Sequence, residues 1–138
     1  DATEEIRTPE ANQMVSVVAA NPQVRRVLVP QQREWATNLG GGVMEGRDIG
    51  TEVFPDALLK IFLTADLSIR AERRFNESSE QTLDSVLDDL KRRDQVDSTR
   101  EDSPLLVAPG AVIFDSSSLR IEDVVSDLAT IFRGLVAG

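Results

Sequence analysis

The stretch Glu45–Ala65, EGRDIGTEVFPDALLKIFLTA, decides the fold. Its second half contains the apolar run 58–63, and a shorter, partly apolar segment at 43–45 leads into its first half. Short apolar runs bounded by glycine, proline or aspartate favour buried strands over helices. The sequence therefore places two charged residues, Arg47 and Asp48, between two predicted buried strands.

Two proline-containing start signals predict a pair of helices at the beginning of the chain. Thr8 and Pro9 form the first signal, and Asn21 and Pro22 form the second. In both, a capping side chain precedes a proline at the first helical position. Pro30 lies within the apolar stripe of the second helix, so we expect that helix to kink or split there. A glycine run then ends it.

Strands and helices alternate through the rest of the chain. The predicted strands are 43–45, 58–63 and 111–114, and the predicted helices are 67–76, 83–97 and 121–136. This alternation predicts right-handed crossovers and a parallel sheet covered by helices on both faces. The length of 138 residues suits one domain. The polar stretch 76–81 is the expected mobile loop.

Composition excludes several classes of function. The chain has no cysteine and no histidine, which removes disulfides, thiolate chemistry and the commonest zinc ligand. The net charge of -9 argues against general binding to nucleic acid. No apolar run is long enough to cross a bilayer. We therefore expect a cytoplasmic protein with no nucleic-acid or membrane partner.

The charge pattern suggests an anion-binding site. Of the 15 basic residues 13 are arginine, the side chain that grips phosphate or carboxylate with two hydrogen bonds. Ligands of open parallel sheets bind at the carboxyl ends of the strands, where Arg47 and Asp48 are expected. The simpler interpretation is a salt bridge between these two neighbours that only fixes the loop.

Two helical segments carry further arginines. Arg93, Asp97 and Arg100 share one face of the predicted helix 83–97 and its end, which predicts either a solvated helix end or a polar cleft. Arg70, Arg73 and Arg74 precede the expected mobile loop; this pattern suits a lid that closes on phosphates, or a solvated face.

Four segments, taken together, resemble the bacterial cytidylate (CMP/dCMP) kinase family. The stretch 45–65 is similar to that family's GRD and KIFL motifs, and KRRDQVDSTREDSPL, at 91–105, is similar to its RD, D, R and PL pattern. Residues 6–25 resemble the helix pair after its monophosphate-binding insert, and residues 111–125 resemble its last strand and helix. The resemblance covers essentially the whole chain in order.

The resemblance implies an α/β fold of the P-loop nucleoside-monophosphate-kinase type, with a parallel sheet flanked by helices. It implies phosphoryl transfer from ATP to CMP or dCMP, giving CDP or dCDP, in pyrimidine nucleotide metabolism. Residues 1–138 would form a single partial core domain, with 1–7 as the tail of the monophosphate-binding insert and about 70–93 as the lid region. We expect a monomer.

The phosphate-cradling motif G-x-x-x-x-G-K-[ST] does not occur in these 138 residues. The resemblance implies that this loop precedes the equivalent of Asp1. It also implies that the loop provides most of the contacts that hold the Mg²⁺ ion bound with ATP. The 138-residue polypeptide by itself is therefore expected to lack measurable kinase activity.

The resemblance also implies residue roles. The substrate-binding residues would be Arg7, Ser16, Arg25, Glu45, Arg47, Asp48, Arg93, Asp97 and Arg100. Among them, Ser16 and Arg25, with Glu45 or Asp48, would contact the base. Arg93 and Asp97 would contact the sugar hydroxyls. The phosphate would be neutralised by Arg7, Arg47 and Arg100.

The lid arginines would be Arg70, Arg73 and Arg74, which would contact the ATP phosphates, and Arg70, Arg74 and Arg47 would act in catalysis. No residue of this chain is predicted to be a metal ligand.

Two alternatives remain from the sequence. One is another nucleoside monophosphate kinase, such as one for UMP, which Ser16, Arg25 and the GRDIGT segment disfavour. The other is a nucleotide-binding or regulatory module without catalytic activity. A substrate panel separates the first from a cytidylate kinase. The mass of the expressed polypeptide bears on the second, because a mass above 15.2 kDa would indicate that the P-loop is present.

Overall fold

The structure is a computed structural model that describes residues 9–19, 21–77, 82–101 and 103–137. Within these residues the helices are α1 (Pro9–Ala19), α2 (Pro22–Asn38), α3 (Leu67–Glu77), α4 (Leu83–Thr99) and α5 (Ile121–Val136). The strands are β1 (Ile61–Thr64) and β2 (Val112–Asp115), and a π-helical turn spans Ile49–Val53. The predicted helices and the second and third predicted strands are confirmed within three residues at each end.

The two strands pair in parallel, as the alternating pattern predicts. Ile61 lies opposite Val112, and Thr64 lies opposite Asp115. The predicted strand at 43–45 is wrong: these residues form no strand, and Val43 is fully exposed. Backbone groups form a strand only where a neighbouring strand accepts and donates their hydrogen bonds. Residues 43–45 meet no such neighbour in the part of the chain that the structure describes.

The prediction of a parallel sheet flanked by helices is confirmed, but both faces of the sheet stay partly exposed in the described residues. Leu63 is 56% exposed and Ile113 is 64% exposed. Leu63 shares a face with Phe114, and Ile113 shares the other face with Phe62, because facing residues of a parallel pair point to the same side. Both faces therefore keep exposed apolar side chains, while α3 packs chiefly against α4.

The start of α2 follows from its first residues. Oδ1 of Asn21 accepts hydrogen bonds from the backbone N–H groups of Gln23, at 2.9 Å, and Val24, at 3.5 Å. These bonds satisfy donors that the first turn of a helix otherwise leaves unpaired. The start at Pro9 is confirmed too, although Thr8 lies outside the described residues.

Of the two outcomes predicted at Pro30, a split is wrong, because α2 continues through Pro30 to Asn38; a kink stays a prediction. A proline removes a single backbone hydrogen bond, and the bonds on either side still hold the helix. The glycine run ends α2 as expected: Gly40 and Gly41 adopt φ angles of 71° and 115°, which disfavour other residues.

Among the residues that the structure describes, three buried polar side chains lie in a small apolar core. The buried apolar residues are Val53, Ala65, Ala71, Val86 and Ala108. Asp48, Asp97 and Ser116 are buried as well, with exposed fractions of 6%, 4% and 4%. A buried carboxylate is costly unless it is paired, so the partners of the two aspartates point to the candidate site. Residues 78–81 of the expected mobile loop lie outside the described residues.

Candidate functional site

A cavity of about 200 Å³ lies between α2 and the loop before the π-helical turn. Its walls combine apolar side chains with three arginines and two acids. The lining residues are Ala19, Arg25, Leu28, Val29, Gln32, Glu45, Gly46, Arg47, Asp48, Ile49 and Arg100. Mixed apolar and charged walls suit a small polar ligand with an apolar ring.

Asp48 binds to α2. Nη2 of Arg25 donates a hydrogen bond to Oδ2 of Asp48, and Nη1 of Arg25 donates to the carbonyl of Ala19 at 3.4 Å. The Arg25 guanidinium therefore offsets the cost of burying the Asp48 carboxylate. This ion pair fixes the beginning of the π-helical turn against the first half of α2.

Arg47 binds to α4 instead. Its Nε donates to Oδ2 of Asp97 at 2.6 Å, and Nε of Arg93 lies 3.9 Å from the same oxygen. The simpler interpretation of the sequence, a salt bridge between Arg47 and Asp48, is therefore wrong about the partners. The two neighbours extend to different helices, and Asp97 lies between two arginines.

Arg93 carries an unsatisfied donor next to this pair. Within the part of the chain that the structure describes, the buried Nε of Arg93 has no hydrogen-bond partner. Burial first, and then the positive charge of Arg47, lower the pKa of Arg93, while Asp97 opposes the shift. An unsatisfied buried donor costs free energy. An acceptor atom of a ligand at this position would recover that free energy.

Arg100 is oriented by the turn that follows α4. Its Nε donates to the carbonyl of Ser103 at 2.6 Å, and Ser103 adopts the left-handed φ of 51°. The N–H of Leu105 donates to the carbonyl of Asp97 at 2.7 Å, which folds the segment back onto the helix. Arg100 thus reaches the cavity wall from the end of α4.

The π-helical turn positions Arg47 and Asp48. The carbonyl of Asp48 accepts from the backbone N–H groups of Glu52 at 2.9 Å and of Val53 at 3.3 Å. A Cβ atom at Gly46 would lie 2.6 Å from Cγ1 of Ile49, so the loop needs glycine there to fold this closely over the turn. π-Helical turns are rare and are frequent at functional sites.

The predicted lid arginines have different surroundings. Nη1 and Nη2 of Arg70 donate to the two oxygens of Asp94 at 3.1 and 2.7 Å, and its Nε donates to the carbonyl of Ala65 at 3.0 Å. Arg73 donates to the hydroxyl and carbonyl of Ser116 at 3.1 and 2.6 Å. Both side chains are thus occupied by contacts within the protein.

Arg74 differs from both. It is exposed, and its side chain makes no hydrogen bond or ion pair with the described residues. Its positive charge contributes to lowering the pKa of Arg93, so it faces the same region as Asp97. Of the three arginines on α3, Arg74 is therefore the one whose side chain has no partner among the described residues.

The structure brings together most of the predicted substrate-binding residues. Five of them line the cavity: Arg25, Glu45, Arg47, Asp48 and Arg100. Asp97 adjoins it through its contact with Arg47, and Arg93 through its contact with Asp97. Arg7 and the side chain of Ser16 lie outside the described part, so their predicted roles stay predictions.

Sequence reasoning missed three contacts around this region. The partner of Arg70, Asp94, is separated from it by 24 positions, and the partner of Arg73, Ser116, by 43 positions. Arg33 on α2 donates to two carbonyls of the π-helical turn. Spacing along one helix could not reveal these contacts, because each joins separate elements.

The described residues contain no group of three or more Asp, Glu, His or Cys side chains that could hold a metal ion. None of the helices in those residues is both long and apolar enough to span a membrane.

The fold belongs to the α/β class, and its cavity is lined by charged side chains. A parallel α/β sheet is flanked by helices, and arginines and buried carboxylates meet beside one cavity. Arginine forks and carboxylates are the groups that recognise phosphates and the donors of a base or sugar.

The chain belongs to the cytidylate kinase family, whose model matches residues 1–134. It is 48% identical over 141 residues to a cytidylate kinase of Bacillus cereus, with 99% of this chain and 62% of that protein covered. It is 46% identical over 140 residues to a cytidylate kinase of Desulfitobacterium hafniense, covering 99% of this chain and 60% of that protein. A cytidylate kinase of Caldanaerobacter subterraneus is 47% identical over 129 residues, covering 91% of this chain and 57% of that protein. The chain thus spans about three fifths of the length of these relatives.

Proposed function

We propose that the intact protein transfers a phosphoryl group from ATP to CMP or dCMP. Residues 1–138 would supply the part that binds the monophosphate, together with the lid region at about 70–93. Residues 1–7 would be the tail of the monophosphate-binding insert. Family membership and the names of the relatives support this proposal.

One observation carries the proposal: Arg25, Asp48, Arg47 and Arg100 meet at a single cavity. Arg25 and Asp48 would bind the base, with Ser16 or Glu45 as further polar contacts. The base exposes both donors and acceptors, and a paired arginine and aspartate present the complementary groups. The volume of about 200 Å³ suits a ligand that the cavity encloses in part.

The phosphate would lie towards Arg47 and Arg100, with Arg7 as a third cation. Asp97 would accept hydrogen bonds from the sugar hydroxyls, and Arg93 would donate to the same sugar from its unsatisfied Nε. A sugar hydroxyl and a phosphate oxygen can replace the contacts that Arg47 and Asp97 now make with each other. Binding would thus exchange protein–protein hydrogen bonds for protein–ligand hydrogen bonds.

Phosphoryl transfer depends mainly on positioning the reactants and on neutralising charge. In this proposal Arg47 and Arg74 neutralise charge on the transferring phosphoryl group. Arg70 and Arg73 belong to the proposed lid, and their contacts with Asp94 and Ser116 would orient α3. Mg²⁺ would enter with ATP, and no residue of this chain is proposed as its ligand.

A coupled assay of ADP formation tests the proposal. The intact protein is assayed with ATP, Mg²⁺ and one acceptor at a time: CMP, dCMP, UMP or AMP. We expect turnover of about 1–100 per second with CMP or dCMP. Preference for UMP would identify a kinase of a different specificity. CMP binding without ADP formation from any acceptor would identify a non-catalytic module.

The proposal includes a cytoplasmic location and a monomeric state. Light scattering during size-exclusion chromatography of the intact protein tests the oligomeric state. A mass of twice the monomer would contradict it. Fractionation of cells that express the protein tests the location.

A further inference from the structure

Arg33, on the second half of α2, contacts the end of the π-helical turn. Its Nε donates to the carbonyl of Val53 at 2.6 Å, and its Nη2 donates to the carbonyl of Glu52 at 2.7 Å. These two carbonyls are the last of the turn Ile49–Val53. Arg33 does not line the cavity.

The chemistry of a helix end explains this contact. The last carbonyls of a helical segment lack partners within it and carry partial negative charge. A guanidinium offers donors in a fixed planar arrangement, which matches two neighbouring acceptors. The end of the turn is held in place by the core, because Val53 is only 1% exposed.

The same helix also holds the beginning of the turn. Arg25 donates to the carboxylate of Asp48, and the Asp48 carbonyl accepts from the N–H of Glu52 at 2.9 Å. Arg25 and Arg33 lie roughly two turns apart along α2. Helix α2 therefore binds the turn at both ends, with one arginine at each.

We propose that Arg33 is a positioning residue for nucleotide binding. It holds the π-helical turn so that Arg47 and Asp48, which precede the turn, keep their places at the cavity. Arg33 acts through these residues and touches no ligand. This inference rests on the proposed function, because it names the residue that prepares the same site.

A positioning role predicts a specific kinetic pattern in the intact protein. Arg33→Ala is expected to raise the KM for CMP about tenfold to a hundredfold, because small displacements of binding groups have effects of that order. The kcat at saturating CMP is expected to stay within about threefold, since the bound state is restored once the site is filled. The KM for ATP is expected to stay unchanged.

Direct titration adds a readout that separates positioning from phosphate binding. The turn supports both the base contact through Asp48 and the phosphate contact through Arg47. Arg33→Ala should therefore weaken binding of CMP and of cytidine by similar factors. Arg33→Lys keeps a positive charge but loses the fork, so it should recover part of the lost affinity.

Arg26→Ala is the matched control. Arg26 lies on the same helix, is exposed, and makes no hydrogen bond or ion pair within the described residues. It should leave the KM for CMP unchanged. Thermal unfolding of each variant identifies any loss of affinity that is due to misfolding. If Arg33→Ala does not fold, Arg33→Lys replaces it in the same measurements.

An unchanged KM and unchanged affinities for both ligands in Arg33→Ala would overturn the inference. So would a loss confined to CMP, which would make Arg33 a phosphate ligand. An Arg33→Lys variant that is folded and binds both ligands as tightly as the wild type would overturn it too, because the contact with two carbonyls would then not position the site. Failure of the proposed function looks different, because the wild-type protein itself would then neither bind nor phosphorylate CMP.

Discussion

Arg47 and Asp97 lie 50 positions apart in the sequence, and Nε of Arg47 donates to Oδ2 of Asp97 over 2.6 Å. This contact links the loop before the π-helical turn to α4. The next residue, Asp48, accepts a hydrogen bond from Arg25 of α2. Two consecutive residues thus connect the loop to two helices, and both connections lie beside the candidate site.

Replacing Arg47 by alanine tests its proposed role in binding the phosphate. The change removes a charge-assisted contact worth about 1.5–3 kcal/mol. The affinity for CMP should therefore fall roughly tenfold to a hundredfold, since ~1.4 kcal/mol is tenfold. Cytidine, which lacks the phosphate, should lose far less. Calorimetric titration of both ligands against the intact protein measures this difference.

The same variant also tests the contact with Asp97. Without Arg47, the buried Asp97 carboxylate loses a hydrogen-bond donor, so unfolding should become easier by about 1–3 kcal/mol. Denaturant unfolding measures this loss, and Arg26→Ala is the control. Equal losses of CMP and cytidine affinity, or no loss of either, would remove Arg47 from the phosphate site.

Arg74 is expected to act on the chemical step. In the intact protein, Arg74→Ala should lower kcat more than it raises the KM for CMP, because its charge would be used only when the phosphoryl group transfers. Steady-state kinetics with CMP and ATP measure both constants. Arg92→Ala, at another exposed arginine, is the control. An unchanged kcat would assign Arg74 to a solvated face of α3.

The pair between Arg70 and Asp94 is expected to stabilise the packing of α3 on α4. Its geometry is bidentate, but the side chains are 34% and 41% exposed, so solvent weakens it. A double-mutant cycle with Arg70→Ala and Asp94→Ala should give a coupling of about 0.5–1 kcal/mol in unfolding free energy.

The more exposed pair between Arg92 and Asp89 provides a matched comparison for that cycle. It lies within α4 at 2.8 Å, and its coupling should be smaller, about 0.3–0.5 kcal/mol. Should the two cycles give the same coupling, the bidentate contact would have no special role in joining the helices.

Asp115 is expected to titrate at unusually low pH. The hydroxyl and the backbone N–H of Ser117 donate to its carboxylate, and these bonds lower the pKa of Asp115 below 3.8. The group is fully exposed. Ser117→Ala should move this pKa back towards 3.8, which NMR titration of the carboxyl carbon measures.

The sign of the effect on stability follows from the direction of the shift. A carboxyl with a lowered folded pKa stabilises the fold above its unfolded pKa, and that contribution is lost as the pH falls through the folded value. Ser117→Ala should therefore reduce the acid dependence of stability below about pH 3.8. Ser118→Ala, at an exposed neighbouring serine, should change neither quantity.

The sequence predicted the local elements of the fold better than their contacts. Helix α5 begins and ends at the predicted residues, because its apolar periodicity and flanking residues are local signals. The prediction of a strand at 43–45 failed because strand pairing depends on a neighbouring strand, which a local apolar pattern does not specify. The predicted split at Pro30 failed for a related reason, since a helix breaker is tolerated where the hydrogen bonds on either side hold the helix.

The candidate site shows the same division. Arginine content and the position of Arg47 and Asp48 were enough to indicate a polar region lined by arginines. Their partners, Asp97 and Arg25, could not be deduced, because each pairing depends on how separate helices pack. The sequence also did not separate Arg74 from Arg70, whose partner lies on another helix.

The two-point attachment of the π-helical turn to α2 has a mechanical consequence. A segment bound at both ends to one helix moves with that helix as a single rigid body. In contrast, Arg47 extends from the loop before the turn to Asp97 of α4, with a hydrogen bond of 2.6 Å. A phosphate that competes for Arg47 would therefore weaken this link between α4 and the turn, while the two contacts with α2 stay in place. The Arg47 wall of the cavity could then adjust to a ligand while the Arg25–Asp48 contact stays in place.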